Sequence, residues 1–547
     1  MYRKNIHTYA LIVVLALVAI TPLYAEEYFF YLQFTDKNNT PYSLSNPSDF
    51  LSQRAIDRRV FFGIECDSTD LPVNPAYISA LQNLNAKVIA QTKWMNGATV
   101  VVVDSAFVMP QLRALPFVKG VEYTGKRNAS LLPVQKKTPE DNAVDYGNAY
   151  DQINQLKGLY LHNRGYRGEG IHIAVIDAGF RNVDIDNAFD SLRNENRLLG
   201  TKDFVNPPSG NLYAEDSHGA RVLSTMATNV PDSYIGTAPK ASYWLLRTET
   251  NSFEYPIECD WWISAVEFAD SAGVDVVNTS LGYSEFTDAS MNFTYADMDG
   301  ETIRASRAAN IASQKAMIIV NAAGNEGDKL WRYITSPADA KGIITVGGVT
   351  SNGNSSVFSS YGPTSDGRIK PEISARGTAT WIADLNNGFT TGGGTSYASP
   401  IIAGMMVRLL QAAKENNLDF DLATLFDVVF RSANQYNNTA EVDYQKGYGI
   451  PNFQTVWELL TDNTDLEERK DASFIVTKDK DNIVITLSNE DLLSKSLLRI
   501  YSLSGNLLLS LPLDKKITTI ESEDFPKEML LLSIYSSEKV YTQKIMP

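Results

Sequence analysis

Four short segments carry residue types that together could perform acyl transfer. A-V-I-D-A-G-F holds Asp177, D-S-H-G-A-R-V holds His218, N-A-A-G-N-E-G holds Asn325 and G-G-G-T-S-Y-A-S-P holds Ser396. A hydroxyl becomes a useful nucleophile only when a base takes its proton. The base needs an acid to fix its tautomer, and the oxyanion that forms needs a donor. Asp177, His218, Ser396 and Asn325 offer one candidate for each role, every one in a glycine-rich setting.

Each candidate also has a plainer reading. The chain has four histidines. His7 belongs to the apolar N-terminus, and His162 lies in a glycine-flanked polar loop. His172 precedes Asp177 by five residues, and on a strand an odd separation places two residues on opposite faces. His218 starts a helix after an acidic-polar turn, and Gly219 lets another segment approach closely. Asp177 ends an apolar strand, where an unpaired carboxylate is costly; otherwise it is a turn or cap residue. Ser396 opens an apolar helix whose free N–H groups and partial positive charge favour an oxyanion. As a plain cap it has competitors in Thr395 and Ser399. Pro400 falls early in that helix, where its missing N–H costs little. Asn325 follows Gly324, a pairing that suits turns.

Positioning these groups requires a sizeable domain. Between about 145 and 460, the apolar runs Ile171 to Ile176, Val274 to Val277, Met317 to Val320 and Ile343 to Val346 read as strands buried on both faces. Helical stretches alternate with them at His218 to Ala227, Trp261 to Ala272, Ile303 to Gln314 and Tyr397 to Ala413. That alternation predicts an α/β fold: a doubly wound, mostly parallel sheet with helices on both sides and active groups beyond the carboxyl ends of the strands. Residues 26–135 predict a separate small α+β domain. Its elements are a strand at Tyr28 to Phe34, a helix at Ser48 to Arg59 capped by Ser48, and a helix at Ala76 to Leu84. Strands at Ala86 to Thr92 and Ala98 to Val103, a helix at Phe107 to Leu115 and a strand at Phe117 to Tyr123 follow. A polar linker at 461–472 leads to 473–547, where short alternating strands predict a small antiparallel β-sandwich.

The four motifs, in the order Asp, His, Ser, resemble the subtilisin-like serine protease family, and the resemblance covers nearly all of 160–455. It implies a secreted serine endopeptidase acting on polypeptide substrates, with Asp177, His218 and Ser396 catalytic and Asn325 as oxyanion donor. N-T-S-L-G-Y also matches. It implies that Ser280, Leu281 and Gly282 bind extended substrate, with Ala323 and Gly324 on the opposite wall. The run Phe358 to Ile373 is family-like scaffold. Ala178, Ala220, Arg221 and Tyr397 depart from the usual residues: Thr or Ser at 178, the T-H of H-G-T-H-V at 220–221, and Met at 397. The resemblance further implies that 26–135 is a propeptide that assists folding and then inhibits, cut from the enzyme between about Lys126 and Asp141. The chemistry calls for no cofactor. Structural calcium, frequent in the family, is left open, because no loop dense in oxygen ligands stands out. The C-terminal segment resembles sorting domains of the type IX secretion system, which implies the secretion machinery as a partner. Glu528-Met529 replaces the glycine usual before the penultimate strand.

Bulk properties set outer bounds. At 547 residues the chain is too long for one ordinary domain, and 44% hydrophobic with 10% aromatic residues suits globular domains. A net charge of -16 argues against nucleic acid as a partner. The two cysteines, Cys66 and Cys259, cannot make a disulfide framework and read as small buried residues. Residues 1–25 combine Arg3 and Lys4, an apolar run and Ala25 in the pattern of a signal peptide, so a secreted or cell-surface location is expected. Two rivals remain at this level: a catalytically silent surface adhesin or binding protein on the same fold, and an enzyme that turned to ligation or ester hydrolysis.

Overall fold

The computed structural model describes residues 26–103, 105–127, 146–207, 211–418, 420–436 and 443–462, then 474–479, 482–487, 496–502, 507–526, 530–535 and 540–545. The expected signal peptide, the expected cut beyond Arg127, nearly all of the linker and Glu528-Met529 lie outside these residues.

The N-terminal domain comprises β1 (Glu27–Phe34), α1 (Gln53–Phe61), α2 (Pro75–Asn83), β2 (Lys87–Thr92), β3 (Gly97–Val102), α3 (Ser105–Arg113) and β4 (Val118–Arg127). Its antiparallel sheet has the order β2-β3-β1-β4. Strand pleating sends Leu32, Val100 and Val102 toward Leu81 of α2 and Leu112 of α3, and sends Phe29 and Val101 to the opposite face. That opposite face packs on the next domain, so every residue of β3 is buried. The first helix differs from the expectation. Ser52, not Ser48, is its cap: Ser52 is extended and its side chain accepts from Ala55 N at 3.2 Å. Pro47–Asp49 forms a separate 3-10 turn. The buried face of α1 carries Arg58 and Arg59 as well as Ala55, because it docks on acidic groups rather than apolar ones.

The central domain is built on β5 (His172–Asp177), β6 (Leu198–Asp203), α4 (His218–Ala227), β7 (Ser242–Arg247), α5 (Ile257–Ala272), β8 (Val276–Thr279), α6 (Arg304–Gln314), β9 (Ile318–Ala322), β10 (Ile344–Val349), β11 (Ile373–Arg376), β12 (Thr380–Ala383), β13 (Phe389–Gly392), α7 (Thr395–Glu415), α8 (Leu422–Arg431) and α9 (Phe453–Asp462). Seven strands form a parallel sheet in the order β11-β10-β9-β8-β5-β7-β6. Alternation along β5 divides the core. Ile173 and Val175 pack with α4 and α7, while Ala174 and Ile176 pack with α5 and α6. After β7 the chain crosses to β8 on the other side of β5, so the order reverses at the carboxyl end of β5, where a crevice opens.

The N-terminal domain grips this core in two places. Glu267 of α5 accepts from Thr92 Oγ1 at 2.6 Å, Lys93 N at 2.8 Å and Trp94 N at 3.0 Å. Further along α5, the buried Asp270 pairs with Arg58 at 2.5 Å, Arg59 at 3.0 Å and Lys93 at 3.0 Å. Arg54 donates to the carbonyls of Gly170 and Gly273 at 2.9 Å, and Arg58 Nε donates to Lys315 O at 3.1 Å. Gly273 and Lys315 end α5 and α6, whose last carbonyls need donors of this kind, and Gly170 precedes β5; all three lie at the end of the sheet opposite the crevice.

The C-terminal module has two antiparallel sheets. One joins β14 (Phe474–Asp479), β15 (Asn482–Leu487) and β18 (Ile517–Glu521); the other joins β17 (Leu507–Pro512), β16 (Leu497–Ser502), β19 (Leu530–Tyr535) and β20 (Val540–Ile545). They enclose one core around Ile485, Ile500 and Leu532. Of the cysteines, Cys259 is buried as expected, but Cys66 is partly exposed because it lies between α1 and α2 outside either core. Among the described residues, no helix is long and apolar enough to cross a membrane.

Candidate active site

Asp177 is the last residue of β5 and is 0% exposed. Its Oδ1 accepts from Ala178 N at 2.8 Å and lies 2.8 Å from His218 Nδ1. Its Oδ2 is buried with no partner among the described residues. His218 is the first residue of α4, and its backbone N–H donates to Asp216 Oδ1 at 2.6 Å. Asp216 is held in turn by Asn251 Nδ2 at 2.7 Å. The approach of α4 depends on Gly219. A Cβ there would stand 2.5 Å from Gly179 O and 2.7 Å from Asp177 Cβ. Burial pulls the His218 pKa down, but the Asp177 and Asp216 carboxylates outweigh it and hold it above the ordinary histidine value; Arg221 opposes them.

Ser396 enters from the other wall, in the first turn of α7 after Gly394 at φ 152. Pro400 is the sixth residue of α7, not one of its opening residues, and so removes the N–H that would bond the Ser396 carbonyl. The Ser280 hydroxyl takes that carbonyl instead, donating to it at 2.8 Å. Ser280 is oriented by Asn278 Nδ2 at 3.0 Å, and Asn278 Oδ1 accepts from Ser399 Oγ at 2.8 Å. Ser396 Oγ donates to Ser280 O at 3.4 Å rather than to His218. The Tyr397 ring lies 6.0 Å from the His218 ring, which brings the starts of α7 and α4 together.

Asn325 reaches the same place from the loop after β9. Its Oδ1 accepts from Thr395 N at 2.9 Å and from Thr395 Oγ1 at 3.1 Å, which leaves Nδ2 as the outward donor. A Cβ built on Gly394 would lie 3.7 Å from Ser396 N and 3.8 Å from Asn325 Nδ2, so two donors border one space. Thr395 was visible in the sequence only as a competing cap.

Beside this space is a cavity of about 100 Å³ lined by Ser280, Leu281, Gly282, Ala322, Gly324, Asn325, Glu326, Thr335, Thr395 and Ser396. Ala323, expected on its wall, is not there. Successive residues of extended chain face opposite ways, so Ala322 and Gly324 face the cavity while Ala323 is fully buried, its N–H on Val346 O at 3.0 Å. Thr335, which no motif marked, closes the cavity behind Gly282: a Cβ on Gly282 would meet its Oγ1 at 2.0 Å.

Among the described residues, the other two histidines lie away from the site. His162, expected in a polar loop, ends a short helix (Leu159–His162) and is buried edge-on against Tyr146, where burial holds its pKa down at about 2. Burial likewise lowers His172, to about 4, at the opposite end of β5. Glu249, Glu254 and Glu258 have ligand atoms within 4.8 Å of one another, the one such carboxylate set among the described residues. Burial raises all three, Glu254 to about 7, and Tyr283 OH donates to Glu249 at 2.5 Å.

Comparison with known proteins agrees with this architecture. Residues 168–449 match the model of the subtilase family, peptidase S8, and residues 29–142 match the peptidase S8 propeptide domain of Bacteroidota. The chain is 30% identical over 333 residues to subtilisin NAT of Bacillus subtilis subsp. natto and to subtilisin E of Bacillus subtilis (strain 168), spanning 59% of this chain and 73% of each relative. It is also similar to the structure of the prenylagaramide maturation protease PagA, with 22% identity and a TM-score of 0.44 over 56% of this chain and 99% of that one. The sheet order, the family match and the relatives define a subtilisin-like protease, and the chain belongs to the subtilase family. It is a serine endopeptidase with an N-terminal propeptide domain.

Proposed function

We propose that Asp177, His218 and Ser396 form the catalytic triad, and that Asn325 and the Ser396 backbone N–H hold the oxyanion. One observation carries this reading: the carboxylate-oriented imidazole and the two donors beside Gly394 flank the same helix start. His218 takes the Ser396 proton as Oγ attacks the scissile carbonyl, and Asp177 stabilises the imidazolium. His218 then protonates the leaving amine, and water releases the acyl-enzyme. Every proton moves between these side chains, substrate and water, so the mechanism needs no cofactor. Ser280, Leu281, Gly282 and Gly324 would hold an extended polypeptide beside the cavity they line.

The test is the intact mass of the processed protein after reaction with a fluorophosphonate, for wild type and Ser396→Ala side by side. One adduct on wild type, absent from the variant, is expected. No adduct on folded, processed wild type would overturn the triad assignment.

We further propose that the protein is secreted or displayed at the cell surface, with 1–25 as signal peptide and 473–547 as sorting domain for the secretion machinery. The alternating strands and I-Y-S-L-S-G-N segment of the C-terminal module support this. Deleting 473–547 should trap the protein in the periplasm; normal export of the truncated protein would overturn the sorting role.

A further inference from the structure

The cavity beside Ser396 ends on an unpaired hydroxyl. Thr335 lines that cavity and is 4% exposed, and its Oγ1 is buried with no hydrogen-bond partner among the described residues. The oxygen stands between the two walls. A Cβ on Gly282 would meet it at 2.0 Å, and a Cβ on Gly324 would meet it at 3.2 Å. Both walls are therefore glycine where Thr335 closes the space between them.

This floor is held firmly. Tyr283 N donates to Ser336 O at 2.8 Å, and Ser336 N donates to Tyr283 O at 3.1 Å. The residue after Thr335 is thus clamped to the residue after Gly282. Ser336 Oγ lies 2.7 Å from Ser306 Oγ, which donates to the buried Asp339 at 2.5 Å. Thr335 O accepts from Ala338 N at 2.8 Å.

A buried hydroxyl without a partner carries a cost that an incoming group can relieve. It can both donate and accept, so a hydroxyl or an amide suits it, whereas an apolar group leaves it unmatched. Size sets a second limit. The cavity holds about 100 Å³, smaller than a cavity of about 150 Å³ that admits benzene. Charge adds little: Glu326 is the one charged residue on the lining, and its Oε1 is already 2.9 Å from Lys329 Nζ. Ser396 and Asn325 also line the cavity, so a side chain seated there belongs to the residue whose carbonyl is attacked.

We propose that Thr335 is a specificity-determining residue. It forms the floor of the pocket for the residue before the scissile bond, and its hydroxyl selects a short, uncharged polar side chain there: Ser, Thr or Asn. This rests on the reading of Ser396 as the nucleophile.

The test is kcat/KM of the processed protein on peptides that differ only in the residue before the cut, with the cut site read by mass spectrometry. Two shape-matched pairs decide the chemistry. Thr should exceed Val, and Asn should exceed Leu, each by about tenfold, since only the polar member satisfies the buried hydroxyl. Phe, Lys and Glu should be poor. Thr335→Val keeps the shape of the floor and should erase both differences; Thr335→Ser keeps the hydroxyl and should preserve them. Thr335→Gly lowers the floor and should admit Phe. A wild type that cleaves best after Phe, Leu or a charged residue would overturn the proposal, as would a Thr335→Val variant that keeps the polar preference. If Thr335→Val fails to fold, the wild-type pairs and the Thr335→Gly and Thr335→Ser profiles decide the matter. Failure of wild type to react with the fluorophosphonate would remove the nucleophile assignment itself. A wild type that labels yet shows no polar preference overturns this proposal alone.

Discussion

Ser280 and Ser396 are joined reciprocally: the Ser280 hydroxyl donates to the Ser396 carbonyl at 2.8 Å, and the Ser396 hydroxyl points back to the Ser280 carbonyl at 3.4 Å. Pro400 creates the opening by leaving that first carbonyl without its helical partner. The helix that Ser396 opens is thereby tied to the segment that lines the neighbouring cavity. Ser280→Ala strands a buried carbonyl, a loss of about 1–3 kcal/mol. The expected results are a lower Tm and a kcat/KM reduced about tenfold, with labelling of Ser396 retained. An unchanged kcat/KM would show that the tie is structural only.

Thr395 holds Asn325 by its oxygen and so aims the amide nitrogen. Asn325→Ala should lower kcat by about 10²–10³, the loss known for the same donor in subtilisin itself. Thr395→Val removes one of the two bonds to Asn325 Oδ1 and should give a smaller loss, in kcat rather than KM. Equal losses in kcat/KM through KM alone would argue against an oxyanion role.

With His218 as the proposed base, its raised pKa would set the acid limb of activity. A group raised by its partners stays protonated to higher pH, so the base form is lost as pH falls through a midpoint above the ordinary value of about 6.5. Asp216→Asn removes one of the raising charges and should move that midpoint down. A profile of kcat/KM against pH checks both statements.

Gly219→Ala places a methyl group against the Gly179 carbonyl and Asp177 Cβ. The start of α4 must then move away from β5 and lengthen the 2.8 Å His218–Asp177 contact. The expected outcome is a folded protein with kcat reduced by about 10²-fold or more, because displacements near 1 Å at a positioned group cost about that much.

Asp270 bridges Arg58, Arg59 and Lys93 at the domain interface, and Arg59 also pairs with Asp70 at 2.6 Å. Asp270→Asn leaves buried Arg58 and Lys93 without their ion-pair partner, and breaking such a pair costs about 3–5 kcal/mol. The affinity of the separated N-terminal domain for the central domain should fall by at least about 10²-fold. Acid should act the same way. The pKa of Asp270 is lowered by Lys93, Arg58 and Arg59 against the opposing pull of burial, and that of Asp275 by Lys414 and Arg54, while Asp67 sits at about 2. The attraction of these groups is therefore complete above about pH 4 and lost as pH falls below it. Binding measured against pH checks the sign.

Much of this site could be read from the chain because its parts are local. Asp177 closes an apolar run, His218 starts its helix where the H-G pair stands, and Ser396 opens α7. Strand periodicity found the inner strands, buried on both faces. It missed β6, L-L-G-T-K-D, whose residues are half-exposed and hold a glycine, and β7, S-Y-W-L-L-R, which ends on a buried arginine. Ser48 suits its own neighbourhood as the α1 cap; Ser52 does so equally, and docking on Asp270 decides between them. Thr395 on Asn325 and Thr335 behind Gly282 are tertiary relations between segments over 50 residues apart, and no local pattern marks them.

The grip of the N-terminal domain on both the flank of α5 and the far ends of α5 and α6 makes its attachment bivalent. Cutting the connecting chain removes the tether but neither contact. When one contact opens, the other keeps the domain at high effective concentration, so reclosure competes with escape. Departure of the domain, were the connecting chain cut, would then be slow unless both contacts failed together or the domain itself were degraded, and any delay between cutting and release would be a property written into the interface.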